Sequence, residues 1–170
     1  MSRFVLAAVA VGLVLAGSVR ADNKENIEAA KNAIATLEKT KSAKERAAAI
    51  TKLGNVAAAG QFEAVKPGIP KVVEGLDDKD AGVRAAAATA VGQIGPDDTE
   101  EVVKKLAELL KDKDDKVKEN AVKALGSFGE KASSARKALQ DAKKENGDPK
   151  SKFSKDVDAA MKSIQPKKPK

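Results

Sequence analysis

Apolar residues along this chain recur at spacings of three and four. In VKKLAELL, Val103 to Leu110, they fall at 103, 106, 109 and 110; in VKENAVKALGSF, Val117 to Phe128, they fall at 117, 121, 122, 124, 125 and 128. That spacing places them on one face of a helix. The polar link KDKD between the two stretches predicts an antiparallel helix pair. The pattern continues on both sides. KENIEAAKNAIATLEK, residues 24–39, sets Ile27, Ala30, Ile34 and Leu37 on one face and predicts a first helix whose partner begins near Ser42. FEAVKPGIPKVVEGL, Phe62 to Leu76, reads as another first helix, limited by Pro67 and with Pro70 suited to a first turn. KASSARKALQDAKKE, Lys131 to Glu145, and a stretch with Phe153, Val157, Ala160, Met161 and Ile164 on one face form a last, more polar pair around the turn NGDP. The expectation is an all-α chain of about four antiparallel helix pairs without sheet.

The pairs repeat one another. DDKDAGVRAAAATAVGQIG, Asp77 to Gly95, returns 34 positions later as KDKDDKVKENAVKALGSFG, Lys111 to Gly129. Asp78/Asp112, Lys79/Lys113, Asp80/Asp114, Val83/Val117, Ala87/Ala121, Ala90/Ala124, Gly92/Gly126 and Gly95/Gly129 are identical. A fixed period of this kind implies stacked helix pairs that bury a continuous core. Asp80 and Asp114 stand where a carboxylate can accept from the first-turn N–H groups of a helix. Gly95 and Gly129 suit a left-handed stop. Gly92 and Gly126 lie inside their helices, where Gly costs about 1 kcal/mol relative to Ala, so a neighbouring helix is expected to approach closely there. An earlier copy, Ser42 to Val56, aligns Arg46 with Arg84 and Lys118, and Gly54 with Gly92 and Gly126. Ser42 and Glu45 read as a capping box. Ala57 replaces the stop glycine and Gly60 follows, which predicts about one further turn on that helix.

The stretch from Leu76 to Gly95, L-x-D-x-D-x-x-V-R-x-x-A-x-x-A-V-G-x-I-G, resembles a HEAT repeat of the short kind also found in phycobilin lyases. The copy from Leu110 to Gly129 matches it with Lys118, Leu125 and Phe128 in place of Arg84, Val91 and Ile94. The resemblance implies an α-solenoid, a HEAT-like superhelix. It also implies that Asp78, Asp80 and Arg84, with Asp112, Asp114 and Lys118, form a structural hydrogen-bonded ladder between neighbouring repeats. Such arrays resemble curved scaffolds whose second helices face a protein partner.

The N-terminus carries a different signal. Arg3 precedes the uncharged apolar run FVLAAVAVGLVLAG, and Val19 and Ala21 are small residues ahead of a polar stretch. This reads as a signal peptide over residues 1–21, cleaved after Ala21, with export to the periplasm or outside the cell. The run is shorter than the ~20 apolar residues of a spanning helix, so no stable membrane insertion is expected after cleavage. The repeat domain then occupies 22–165, and 166–170 form a basic, disordered tail. The sequence holds no Cys, so packing alone must sustain the fold.

Composition narrows the chemistry. The formal net charge is +7, but Lys167, Lys168 and Lys170 of the tail hold much of it, which weakens any argument for nucleic acid. His, Cys, Trp and Tyr are absent. The usual metal donors and the Ser-His and Cys-His catalytic pairs are therefore missing, and no catalytic, cofactor or metal residue is assigned. A phycobilin-lyase-like enzyme is the rival class, disfavoured by the lack of aromatic walls for a tetrapyrrole. A third class is weak binding to polyanions or an envelope surface through the tail lysines. The leading reading is an exported scaffold for a protein partner, without a cofactor. Its candidate surface is the column opposite the apolar faces of the second helices: Ala48, Thr51 and Asn55, then Ala86, Thr89 and Gln93, then Asn120, Lys123 and Ser127.

Overall fold

The computed structural model describes residues 23–165. The proposed leader and the lysine tail lie outside the described residues. Four helix pairs follow one another. Helix α1, residues 23–39, pairs with α2, Ala43–Ala58. The second pair sets α3, Phe62–Val65, and α4, Ile69–Glu74, before α5, Ala81–Ile94. The third is α6, Thr99–Leu109, with α7, Asp115–Phe128. The last is α8, Arg136–Asn146, with α9, Lys152–Ser163. Among the described residues there is no strand, and no helix is long and apolar enough to cross a membrane.

The second helices stack directly: α2 on α5, α5 on α7, and α7 on α9. Small residues permit this. A Cβ added at Gly92 would lie 3.1 Å from the Ala124 Cα, and one at Gly54 would lie 3.0 Å from the Ala90 Cα. At Gly126 the corresponding distance to the Ala160 Cα is 3.4 Å. The helix penalty of these glycines is thus exchanged for backbone-to-backbone proximity. Between the two layers of helices lies one continuous core, with Ile50, Leu53, Leu76, Leu106, Leu125, Leu139 and Ile164 fully buried. Each such side chain contributes about 1.5–3 kcal/mol relative to exposure.

Several local expectations need correction. Helix α4 begins after Pro67 and has Pro70 in its first turn, as expected; the stretch before it is not one longer helix but the short α3, Phe62–Val65, and a 3-10 turn, Lys66–Gly68. Gly95 adopts the left-handed stop, φ 60° and ψ 58°, but Gly129 combines φ 56° with ψ −138°. The chain leaves α7 straight into a 3-10 segment, Gly129–Ala135, so an αL turn would misdirect it. Helix α2 is longer than α5 by two residues (16 against 14) rather than by a full turn, and Gly60 then turns the chain at φ 84°. Ser42 caps α2 through the Glu45 N–H at 3.4 Å, yet the return half of the box is absent. The Glu45 carboxylate accepts from the Thr40 hydroxyl, and Thr40 Oγ1 takes the Ser42 N–H instead. Ile27, placed on the packing face, is the exposed large apolar residue of α1 at 38%.

Candidate partner-binding surface

The turns between paired helices carry the charge chemistry. Asp80 and Asp114 cap α5 and α7, accepting from the Val83 N–H at 3.1 Å and from the Lys116 and Val117 N–H groups at 2.9 and 3.1 Å. Asp78 and Asp112 each accept the N–H two residues on, both at 2.9 Å. That fixes their carboxylates for an arginine from the preceding repeat. Arg46 donates Nε and Nη2 to Asp78 at 2.7 and 2.9 Å. Arg84 does the same to Asp112 at 2.6 and 2.9 Å. The third arm of each guanidinium holds its own turn: Arg46 Nη1 donates to the Lys41 carbonyl at 2.9 Å, and Arg84 Nη1 to the carbonyls of Asp78 and Lys79 at 2.8 and 3.1 Å. Each arginine thereby joins two successive turns with a planar fork suited to a carboxylate.

These bonds set the acidity of the aspartates. The hydrogen bond from Arg46 holds the Asp78 carboxyl below its ordinary range, and Arg84 does so for Asp112, both against the opposing effect of burial. Arg84 is raised in turn, chiefly by its bond to Asp112. The ladder reading fails at Lys118. Its ammonium meets Asp115 of its own helix at 2.7 Å and does not reach the next repeat. There Ser154, fully buried, donates to the Asp148 carbonyl at 2.6 Å, Asn146 Nδ2 donates to Ser151 Oγ at 2.8 Å, and the exposed Asp148 carboxylate accepts the Lys150 N–H at 2.8 Å.

The column of the second helices is only partly free. Thr51, Asn55, Thr89, Gln93, Lys123 and Ser127 are exposed, whereas Asn120 is half-buried. Asn120 Nδ2 donates to the Ala85 carbonyl at 3.0 Å, and Ser127 Oγ to the Gly92 carbonyl at 3.1 Å. Both therefore tie α7 to α5 and are removed from the set of uncommitted surface groups. Thr51 and Thr89 bond back to the carbonyls of Ala47 and Ala85. Gln93 lies over Gly54, crowding the space a side chain there would need. A shallow groove of about 460 Å³ runs through this face, bordered by Thr51, Ala86, Thr89, Lys116 and Asn120.

A family model described as HEAT repeats matches residues 69–151. Residues 69–151 are HEAT repeats. A crystal structure of an engineered protein resembles the HEAT array with a TM-score of 0.62 at 23% identity, over 79% of this chain and 62% of that one. The chain thus spans less than two thirds of that neighbour, and the likeness is one of fold. No curated protein matches the chain in sequence.

Sequence reasoning missed the other side of the array. The first helices do not close on one another as the second helices do. A groove of about 540 Å³ separates α4 from α6, with Ile69, Val73 and Val102 in its walls. The Lys105 ammonium bridges it to Asp77, and that bond raises the lysine's pKa. A second groove opens between α6 and the 3-10 segment. The signal was present in PDDTEE, residues 96–101, a purely acidic run within a basic chain.

Proposed function

We propose that the chain is an exported, non-catalytic scaffold that offers the second-helix face of its HEAT array to a protein partner. HEAT repeats typically mediate protein–protein interaction. The observation that carries this reading is the unequal spacing of the two helix layers. The second helices touch through Gly54, Gly92 and Gly126, while a groove of about 540 Å³ parts α4 from α6 and one of about 580 Å³ lies between α6 and the 3-10 segment that precedes α8. A stack that is tighter on one side curves toward that side, so the second helices form the inner face. The exposed groups of the column are small and polar apart from Lys123, and Lys116 stands at the border of the groove. They suit a partner that approaches the backbone closely and supplies its own large side chains. Export rests on the leader-like residues 1–21, and the absence of catalysis on the lack of His, Cys and Tyr.

Thr89 is the central position for a test. The chain has no Cys, so Thr89→Cys can carry a photo-crosslinker without competing labels. A crosslinked partner, identified by mass spectrometry, is then titrated against Thr89→Arg and Lys123→Glu. Both positions are exposed, so stability should stay within about 0.5 kcal/mol, while affinity should fall at least tenfold. Undiminished affinity in both variants would refute the inner-face assignment.

A further inference from the structure

The groove between α6 and the 3-10 segment Gly129–Ala135 measures about 580 Å³. Val103, Ala107 and Ala135 supply apolar walls, and Asp98, Glu100 and Glu101 stand at its α6 end. Asp98, Glu100 and Glu101 form no ion pair among the described residues. Lys104 is the groove's own cation, so the lining keeps an excess of negative charge.

We propose that this groove is the docking site of the chain's own lysine-rich segment, Pro166–Lys170. Charge complementarity is the first argument: PKKPK holds Lys167, Lys168 and Lys170 and no Asp or Glu. Position is the second. Ile164 is buried at the end of α9, and the Ser163 carbonyl lies 3.8 Å from where a Gly129 side chain would begin. Gly129 opens the same 3-10 segment whose last residue, Ala135, lines the groove. Reach is the third. That segment is kinked at Ala132, so at about 2.0 Å per residue it covers at most roughly 12 Å from end to end, and five extended residues span up to ~17 Å. A single exposed ion pair is weak. A short tether raises the local concentration of the tail to the millimolar range, which makes several weak pairs sufficient in cis. Docking of this kind is screened by salt.

The test uses the full chain. Pro169→Cys with a nitroxide label leaves all three lysines in place, and no other Cys competes. At low salt the amide signals of Glu100, Glu101 and Ser134 should broaden severalfold, and they should recover at high salt. They should also recover when Lys167, Lys168 and Lys170 are all changed to Glu, and in Glu100→Lys/Glu101→Lys. Broadening confined to the end of α9, or unaltered by salt and charge reversal, would overturn the proposal. Broadening that grows with protein concentration would overturn it as well, since the occupant would then be the tail of a second copy.

Discussion

The joint between α5 and α7 and the joint between α7 and α9 share their packing and differ in their electrostatics. In both, a glycine of one second helix meets an alanine of the next: Gly92 with Ala124, and Gly126 with Ala160. The first joint also carries the Arg84–Asp112 fork, with side chains only 11% and 8% exposed. The second has none, because Lys118 turns to Asp115 and the last turn is held by Asn146, Ser151 and Ser154. At the other end Thr40, which takes the Ser42 N–H as Asp78 takes that of Asp80, presents no carboxylate. The apolar repeat therefore builds the stack, and the charged ladder runs through its first two joints.

The largest expected effect comes from cutting the ladder. Arg84→Ala leaves Asp112 with its charge buried and unpaired, and should cost about 3 kcal/mol in urea unfolding. The sign of the pH dependence follows from the lowered acidity constant of Asp112. The pair stabilises the fold fully above the unfolded aspartate value of about 3.9, and loses that contribution as pH falls through the lower, folded value. The native chain should lose stability from about pH 4 downward more steeply than Arg84→Ala. Equal acid slopes would show that the fork contributes packing rather than charge.

The glycine positions offer a sharper contrast, because the same substitution should change sign between joints. At Gly92 a methyl group would sit 3.1 Å from the Ala124 Cα and 3.2 Å from its Cβ, where neither can retreat cheaply. Overpacking of that kind costs about 1–3 kcal/mol, more than the ~1 kcal/mol that helix propensity returns. At Gly126 the nearest atoms are at 3.4 Å, an ordinary contact. Gly92→Ala should thus lower the thermal midpoint and Gly126→Ala should raise it, both read by circular dichroism. Two shifts of the same sign would mean that the joints are equally tight.

What could be read from sequence followed the physics of each feature. Helix pairs, their apolar faces and the mid-helix glycines were legible because a period of 3.6 and a misplaced glycine are local signals. The carboxylate caps at Asp80 and Asp114 were legible for the same reason. Lys118 was misread because alignment equates position with partner, while its ammonium pairs with Asp115 three residues before it and the Asp148 carboxylate of the last turn accepts the Lys150 N–H. That Asn120 and Ser127 bond across the joint was not legible, because helix periodicity cannot show that α5 presents the carbonyls of Ala85 and Gly92 to them. The grooves beside α6 depend on the distance between two first helices, which no single helix encodes.

The smallest expected effect tests whether Lys118 belongs to the ladder in any sense. Its side chain is 31% exposed and that of Asp115 is 89% exposed. Pairs of that kind, three residues apart on a helix surface, contribute a few tenths of a kcal/mol and are weakened by salt. Lys118→Ala should accordingly destabilise the fold by less than about 0.5 kcal/mol, a fraction of the Arg84→Ala effect. Lys118→Arg supplies the fork, but the facing turn is held by Asn146, Ser151 and Ser154, and its carboxylate, Asp148, is exposed and accepts the Lys150 N–H. The substitution should leave the urea midpoint unchanged, at low and at high salt alike. A gain of 1 kcal/mol or more from Lys118→Arg would show that a carboxylate of the last repeat lies within reach. The α5–α7 and α7–α9 joints would then differ in the identity of one cation, arginine or lysine, and the ladder could extend through the whole array.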